Sequence, residues 1–301
     1  MRNKKTKIQD ASLDEPAPPA FNGLDPTSFG DSLSNSSYIS IVGVHTTLWL
    51  FVALYLPRTK YLNESHHERT QTSSRDRPQH PFLQPLTADP TVTLLFICGG
   101  ALILQGWWAG WTRDWWLQLG LRGSKEDRQT ELAALERHKM TASRNAWLAT
   151  FAASFTIHFL LVLFGAPITS LVFKTYLLAL LLSIMTVYAP AYSIGTPTFG
   201  SSGNALMRRW TWIRVFAEFS PRNSIERALL FPAVGTVTGS WLGIIPIALD
   251  WDRPWQAWPL TPAYGAIAGY VISSMVALTV NTVLHLAEEH AQGQRLQLKT
   301  K

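Results

Sequence analysis

Six continuous apolar segments constrain this chain more than any other feature. They run roughly over Tyr38–Leu56, Thr91–Gly110, Trp147–Gly165, Ile168–Ala189, Ala228–Leu249 and Thr261–Leu284. About 20 apolar residues in helical form cross a hydrocarbon core roughly 30 Å thick. Lipid offers no partner to a free backbone N–H or C=O, so only helices or closed barrels span it. The apolarity here is unbroken rather than alternating, which specifies helices. The predicted fold class is therefore all-α, a polytopic membrane protein with six transmembrane helices. Charged residues make up only 15%, against about 25% in ordinary soluble proteins.

The polar remainder sets the organisation. Residues 1–37, rich in Ser, Pro, Asp and Lys, have too little apolar content for a core and are expected to form a disordered tail. That stretch has no apolar run, so the first membrane segment is expected to do the targeting. The rest reads as one six-helix domain over 38–290 with a tail at 291–301. Within it lie a flexible loop at 57–90 and a polar loop at 111–146. The latter includes a short amphipathic helix over "KEDRQTELAALERHKM" (125–140). "FGAP" breaks the chain between the third and fourth segments at Gly165 and Pro167.

Charge placement orients the bundle. With six crossings, both tails share a side with 111–146 and 190–227. That side carries 19 of the 26 Lys and Arg, against seven on the other. Positive charge stays cytosolic, so both termini are expected in the cytosol and the 57–90 and 248–260 connections in the lumen. The net charge of +6 is spread among loops rather than along one basic stripe, so no nucleic-acid partner is expected. The single cysteine, Cys98, excludes an internal disulfide framework and a thiolate metal cluster. The loop histidines His66, His67 and His80 are too loosely spaced for a metal site. No metal and no cofactor is predicted.

Several residues could carry more than packing. "GTVTGSWLG" spaces Gly235, Gly239 and Gly243 at four-residue intervals, and "GAIAG" repeats this with Gly265 and Gly269. Small residues let helix backbones approach closely in lipid. These faces pack against each other, dock a partner's membrane helices, or serve both purposes. Polar groups inside the segments are His45, Gln105, His158, Lys174, Asn281 and His285. Such groups turn inward or line a cavity. His158, the deepest titratable one, either hydrogen-bonds a neighbouring helix or helps hold a lipid headgroup. Asn63 in "NES" fits a glycosylation acceptor pattern. "WWAGWTRDWW" (107–116) places five Trp where an interfacial belt is expected.

The connection "ALDWDRPWQAWPL" (248–260) gathers Asp250, Trp251, Asp252, Arg253, Pro254 and Trp255. The two carboxylates could chelate a cation, and the guanidinium could pair with phosphate. Three readings stay open: a rigid cap with Arg253 paired to Asp250 or Asp252, recognition of a headgroup or partner, and catalysis. The short connections beside it offer almost no further ligands or nucleophile.

"SWLGIIPIALDWDRPWQAWPLTPAYGAIAGY" (240–270) resembles the C-terminal signature of the PIG-F family of glycosylphosphatidylinositol (GPI) anchor assembly proteins, and "HFLLVLFGAP" (158–167) resembles its second motif. The resemblance runs from about residue 38 to 285. It implies a multi-pass protein of the endoplasmic-reticulum membrane with no catalytic residues of its own. The partner it implies is a large multispanning ethanolamine-phosphate transferase. That enzyme moves phosphoethanolamine from phosphatidylethanolamine to a mannose of the GPI precursor glycolipid. Two rival readings are a membrane-embedded lipid-headgroup transferase and a GPI-lipid translocator.

Overall fold

The computed structural model describes residues 35–58, 80–120, 137–198, 200–249, 251 and 253–299. The helices are α1 (Asn35–Leu54), a short α2 (Gln84–Thr87), α3 (Pro90–Gly120), α4 (Lys139–Leu163), α5 (Val172–Ser193, containing a π turn at Ile184–Tyr188), α6 (Gly203–Trp212), α7 (Ser224–Leu242) and α8 (Leu260–Lys299). Among the described residues there is no strand. Six of these helices, α1, α3, α4, α5, α7 and α8, are long and apolar enough to cross a membrane. The fold is all-α, as the hydropathy pattern requires.

Three helices outrun their apolar segments, and α4 already begins at Lys139, eight residues ahead of Trp147. α3 continues through "WWAGWTRDWW" to Gly120, and α8 stays helical past Leu284 to Lys299. Hydropathy marks only the part in lipid, whereas a helix satisfies its own backbone wherever it goes. The extension of α3 changes the reading of its indoles. Trp108, Trp115 and Trp116 are buried, while Trp107 and Trp111 face outward. Three of the five Trp are thus core rather than belt.

The core has two tiers. One holds Trp49, Leu94, Ile97, Leu178, Leu181 and Tyr270. The other holds Tyr38, Trp108, Trp115, Tyr188, Tyr192 and Leu229. His45 sits within the bundle, stacked on Trp108 at 4.9 Å between ring centroids, and its Nε2 accepts the Trp49 indole N–H at 3.2 Å. Gln105 is fully buried beside the Tyr270 hydroxyl, yet neither of its amide atoms makes a hydrogen bond of regular geometry among the described residues. In α5 the π turn ends at Tyr188, two residues before Pro190. Proline donates no N–H and crowds the carbonyl four residues back, here that of Thr186, and a π turn is one way to accommodate this.

Candidate functional site

α7 and α8 meet along their glycines. A Cβ on Gly239 would overlap the carbonyl oxygen of Gly265, and a Cβ on Gly265 would overlap that of Gly239. Gly235 and Gly269 stand in the same reciprocal relation, and a Cβ on Gly243 would strike the Thr261 carbonyl. These five glycines therefore bring α7 and α8 together, while Gly239, Gly243, Gly265 and Gly269 remain only half-buried. Van der Waals contact between backbones replaces side-chain interdigitation here.

At one end of this pair lies the connection between α7 and α8. Short 3-10 turns at Ile245–Ala248 and Pro254–Gln256 shape it. Asp250 and Asp252 lie outside the described residues, as does Asn63. Trp251 is 55% exposed and meets Trp255 edge to face at 5.8 Å. Arg253 is half-buried and Pro254 exposed. The hub of the connection is Gln256, a residue that attracted no notice in the sequence. Its Nε2 donates to the carbonyls of Pro246 (2.6 Å) and Leu249 (2.8 Å), and its Oε1 accepts the Arg253 N–H at 2.8 Å. The spacing offered a signal, since a Gln three residues beyond a helix start is half of a capping box. Trp258 then anchors the connection to α5, donating its indole N–H to Thr175 Oγ1 at 3.0 Å. On the same side, the Arg58 guanidinium lies 4.3 Å from the centre of the Phe82 ring.

The α4–α5 hairpin closes nearby. Gly165, with φ of 102°, ends α4: its N–H donates to the Val162 carbonyl, and the Ala166 N–H reaches back to Leu161. This is the paired bonding of a Schellman cap, which needs a left-handed residue and favours glycine. Pro167 follows two residues later, where a helix could not continue. His158 is half-buried, with its ring 6.0 Å from that of Tyr176. Its Nδ1 is enclosed without a hydrogen-bond partner among the described residues. The bond to a neighbouring helix, expected as one of two roles, is thus not made through Nδ1.

The opposite end carries a polar network of which the sequence reading picked out only Asn281. Asn223 caps α7 by accepting the Glu226 N–H at 2.7 Å. Glu226, 1% exposed, takes both guanidinium nitrogens of Arg214 (2.8 and 2.7 Å) and the Arg222 N–H (2.6 Å). The Glu226 hydrogen bond holds the Arg214 guanidinium above its ordinary pKa, against the opposing effect of burial. Asn281 of α8 accepts from Arg227 and donates to the Ser224 carbonyl (2.9 Å) and to Tyr38 Oη (3.3 Å), tying α1, α7 and α8 together. "NSIE" (223–226) has capping-box spacing and was the available clue. Among the described residues, no three His, Cys, Asp or Glu come close enough to hold a metal ion.

These features define a polytopic helical membrane protein whose polar groups brace its two ends. Residues 39–278 match the family described as GPI biosynthesis protein family Pig-F, and the chain belongs to that family. It is similar to a Mus musculus protein named GPI ethanolamine phosphate transferase, stabilizing subunit, at 34% identity over 46% of this chain. The alignment spans 59% of that relative's length. It also resembles glycosylphosphatidylinositol anchor biosynthesis protein 11 of Pyricularia oryzae, at 29% identity over 87% of this chain and 84% of the relative. A Schizosaccharomyces pombe PIGF/3-ketodihydrosphingosine reductase fusion protein is 37% identical over 41% of this chain and 22% of its own length. No solved structure matches.

Proposed function

We propose that this chain is the non-catalytic, stabilising subunit of a GPI ethanolamine-phosphate transferase in the endoplasmic-reticulum membrane. The family match over residues 39–278, together with the name of the mouse relative, carries this reading. Both termini lie in the cytosol on the charge count, which puts Trp251, Arg253 and Trp255 in the lumen. In the complex, the transferase acts on phosphatidylethanolamine and the GPI precursor glycolipid while this chain holds the enzyme's membrane region. The half-buried glycine edges of α7 and α8 can serve in that contact, and a further surface is open to it. α4 is the least enclosed of the spanning helices and turns Leu148, Phe151, Phe155, Phe159 and Leu163 outward. That face, with the connection at 250–255, is the docking surface of this reading.

The test is an affinity pull-down of the tagged chain from mild-detergent extracts, read by mass spectrometry. A multispanning transferase should co-purify in near-equal amount. It should be lost from a Phe155→Ala, Phe159→Ala variant that remains monodisperse. A chain that comes out alone and folded, and that transfers phosphoethanolamine by itself, overturns the proposal.

A further inference from the structure

The segment between α5 and α7 is two-faced. α6 and the π turn that extends it, Ile213–Ala217, bury Ala205, Arg208 and Val215 against the bundle. Trp212 Nε1 donates to the Gly195 carbonyl at 2.8 Å, holding the helix down. The other face exposes Leu206, Met207, Trp210 and Ile213. Phe219 follows, exposed and held at φ of 52°, a conformation that residues other than glycine rarely adopt. Five large apolar side chains thus point away from the protein within fourteen residues.

Position decides what covers them. α5 ends at Ser193 and α7 begins at Ser224. Two spanning helices therefore fix both ends of the connection at one membrane face, the one shared by the start of α1 and the end of α8. Charge points the same way. Residues 203–227 contain Arg208, Arg209, Arg214, Arg222 and Arg227 against Glu218 and Glu226, and Glu226 is already paired with Arg214. Arg222 is exposed, and Arg209 donates one guanidinium nitrogen to the Gly200 carbonyl at 3.3 Å while its buried Nε has no hydrogen-bond partner among the described residues. A helix with an apolar face and basic flanks lies in the plane of the interface, its apolar side about 5–10 Å into the headgroup boundary.

We infer that α6 lies in the membrane interface and that, with Arg209 and Arg222, it forms a binding surface for anionic phospholipid headgroups. The apolar row dips to the acyl boundary while the guanidinium groups stay at phosphate level. Nothing in this depends on the transferase partnership.

The experiment uses the full chain in nanodiscs of phosphatidylcholine and phosphatidylserine. In a Cys98→Ser background, nitroxide labels go on Leu206→Cys, Trp210→Cys and Glu218→Cys, and accessibility to oxygen and to a water-soluble nickel chelate is compared. The exposed positions 206 and 210 should favour oxygen several-fold more than position 218 does. Native mass spectrometry should then show phosphatidylserine retained over phosphatidylcholine. Retention should fall roughly fivefold for each arginine removed in Arg209→Gln and Arg222→Gln. Water-like nickel access at 206 and 210 overturns the proposal, also where an added protein partner later shields them. Equal retention by the native chain and the double variant overturns the headgroup assignment.

Discussion

Gly239 on α7 and Gly265 on α8 face each other so closely that a methyl group on either would overlap the other's carbonyl oxygen. Gly239→Leu or Gly265→Leu should therefore separate the two helices rather than merely crowd them. The obstacle is backbone, which cannot swing aside, so the cost should sit near the upper end of overpacking penalties, about 3 kcal/mol. Gly106→Ala, at a position with open space around it, should leave thermal stability in detergent unchanged. Equal melting of both kinds of variant would refute the backbone-contact account.

Gln256→Leu should loosen the connection while sparing the helix pair. It removes two donated bonds and one accepted bond, each worth about 1 kcal/mol net. Amide exchange should quicken at Leu249 and Arg253 with little change in the glycine-lined stretch of α7. Uniform quickening along α7 would instead make Gln256 part of the global core.

Arg214→Ala should cost more than Glu226→Gln. The first leaves a carboxylate buried without its cation, a loss of about 3–5 kcal/mol for a fully buried pair. Arg214 is 16% exposed, so the value should lie toward the lower end. The second keeps an acceptor for the Arg222 N–H. Arg214→Lys should restore little, because a single ammonium cannot make the paired bonds. The folded arginine titrates above its unfolded value. Its contribution is complete below about pH 12 and is lost only as pH rises beyond that. Thermal melts of Arg214 variants should thus show the same deficit across the physiological pH range.

Gln105→Leu should stabilise the protein. Both amide atoms are fully enclosed and make no regular hydrogen bond among the described residues, and enclosing such a group costs about 1–3 kcal/mol. A melting temperature that falls on substitution would indicate a water or polar ligand held at that amide.

The membrane architecture was legible because hydropathy reports directly on the solvent each segment meets. Each span contains most of its apolar run, with α3, α4 and α8 extending two turns or more beyond it. What escaped were contacts made outside lipid or across long separations. Nothing local to "PWQAW" says that Gln256 will reach Pro246, and nothing local to "WIRVF" says that Arg214 will find Glu226. Trp115 and Trp116 were misplaced for a related reason. An indole near a membrane boundary is equally at home in the interface or against Tyr38, which lies 5.7 Å from Trp115 across the bundle. The acidic pair Asp250 and Asp252, the most conspicuous feature of the sequence, lies outside the described residues.

α8 runs for 40 residues, which is about 60 Å of helix or twice the hydrocarbon thickness. Held to α7 by backbone contact, α8 would act as a lever were it to pivot where it begins, near Leu260. A tilt of about 10° imposed near Leu260 would carry the Lys299 end roughly 10 Å sideways at 1.5 Å of rise per residue. A load that tilted α8 on one face of the membrane would thus be displayed, enlarged, on the other.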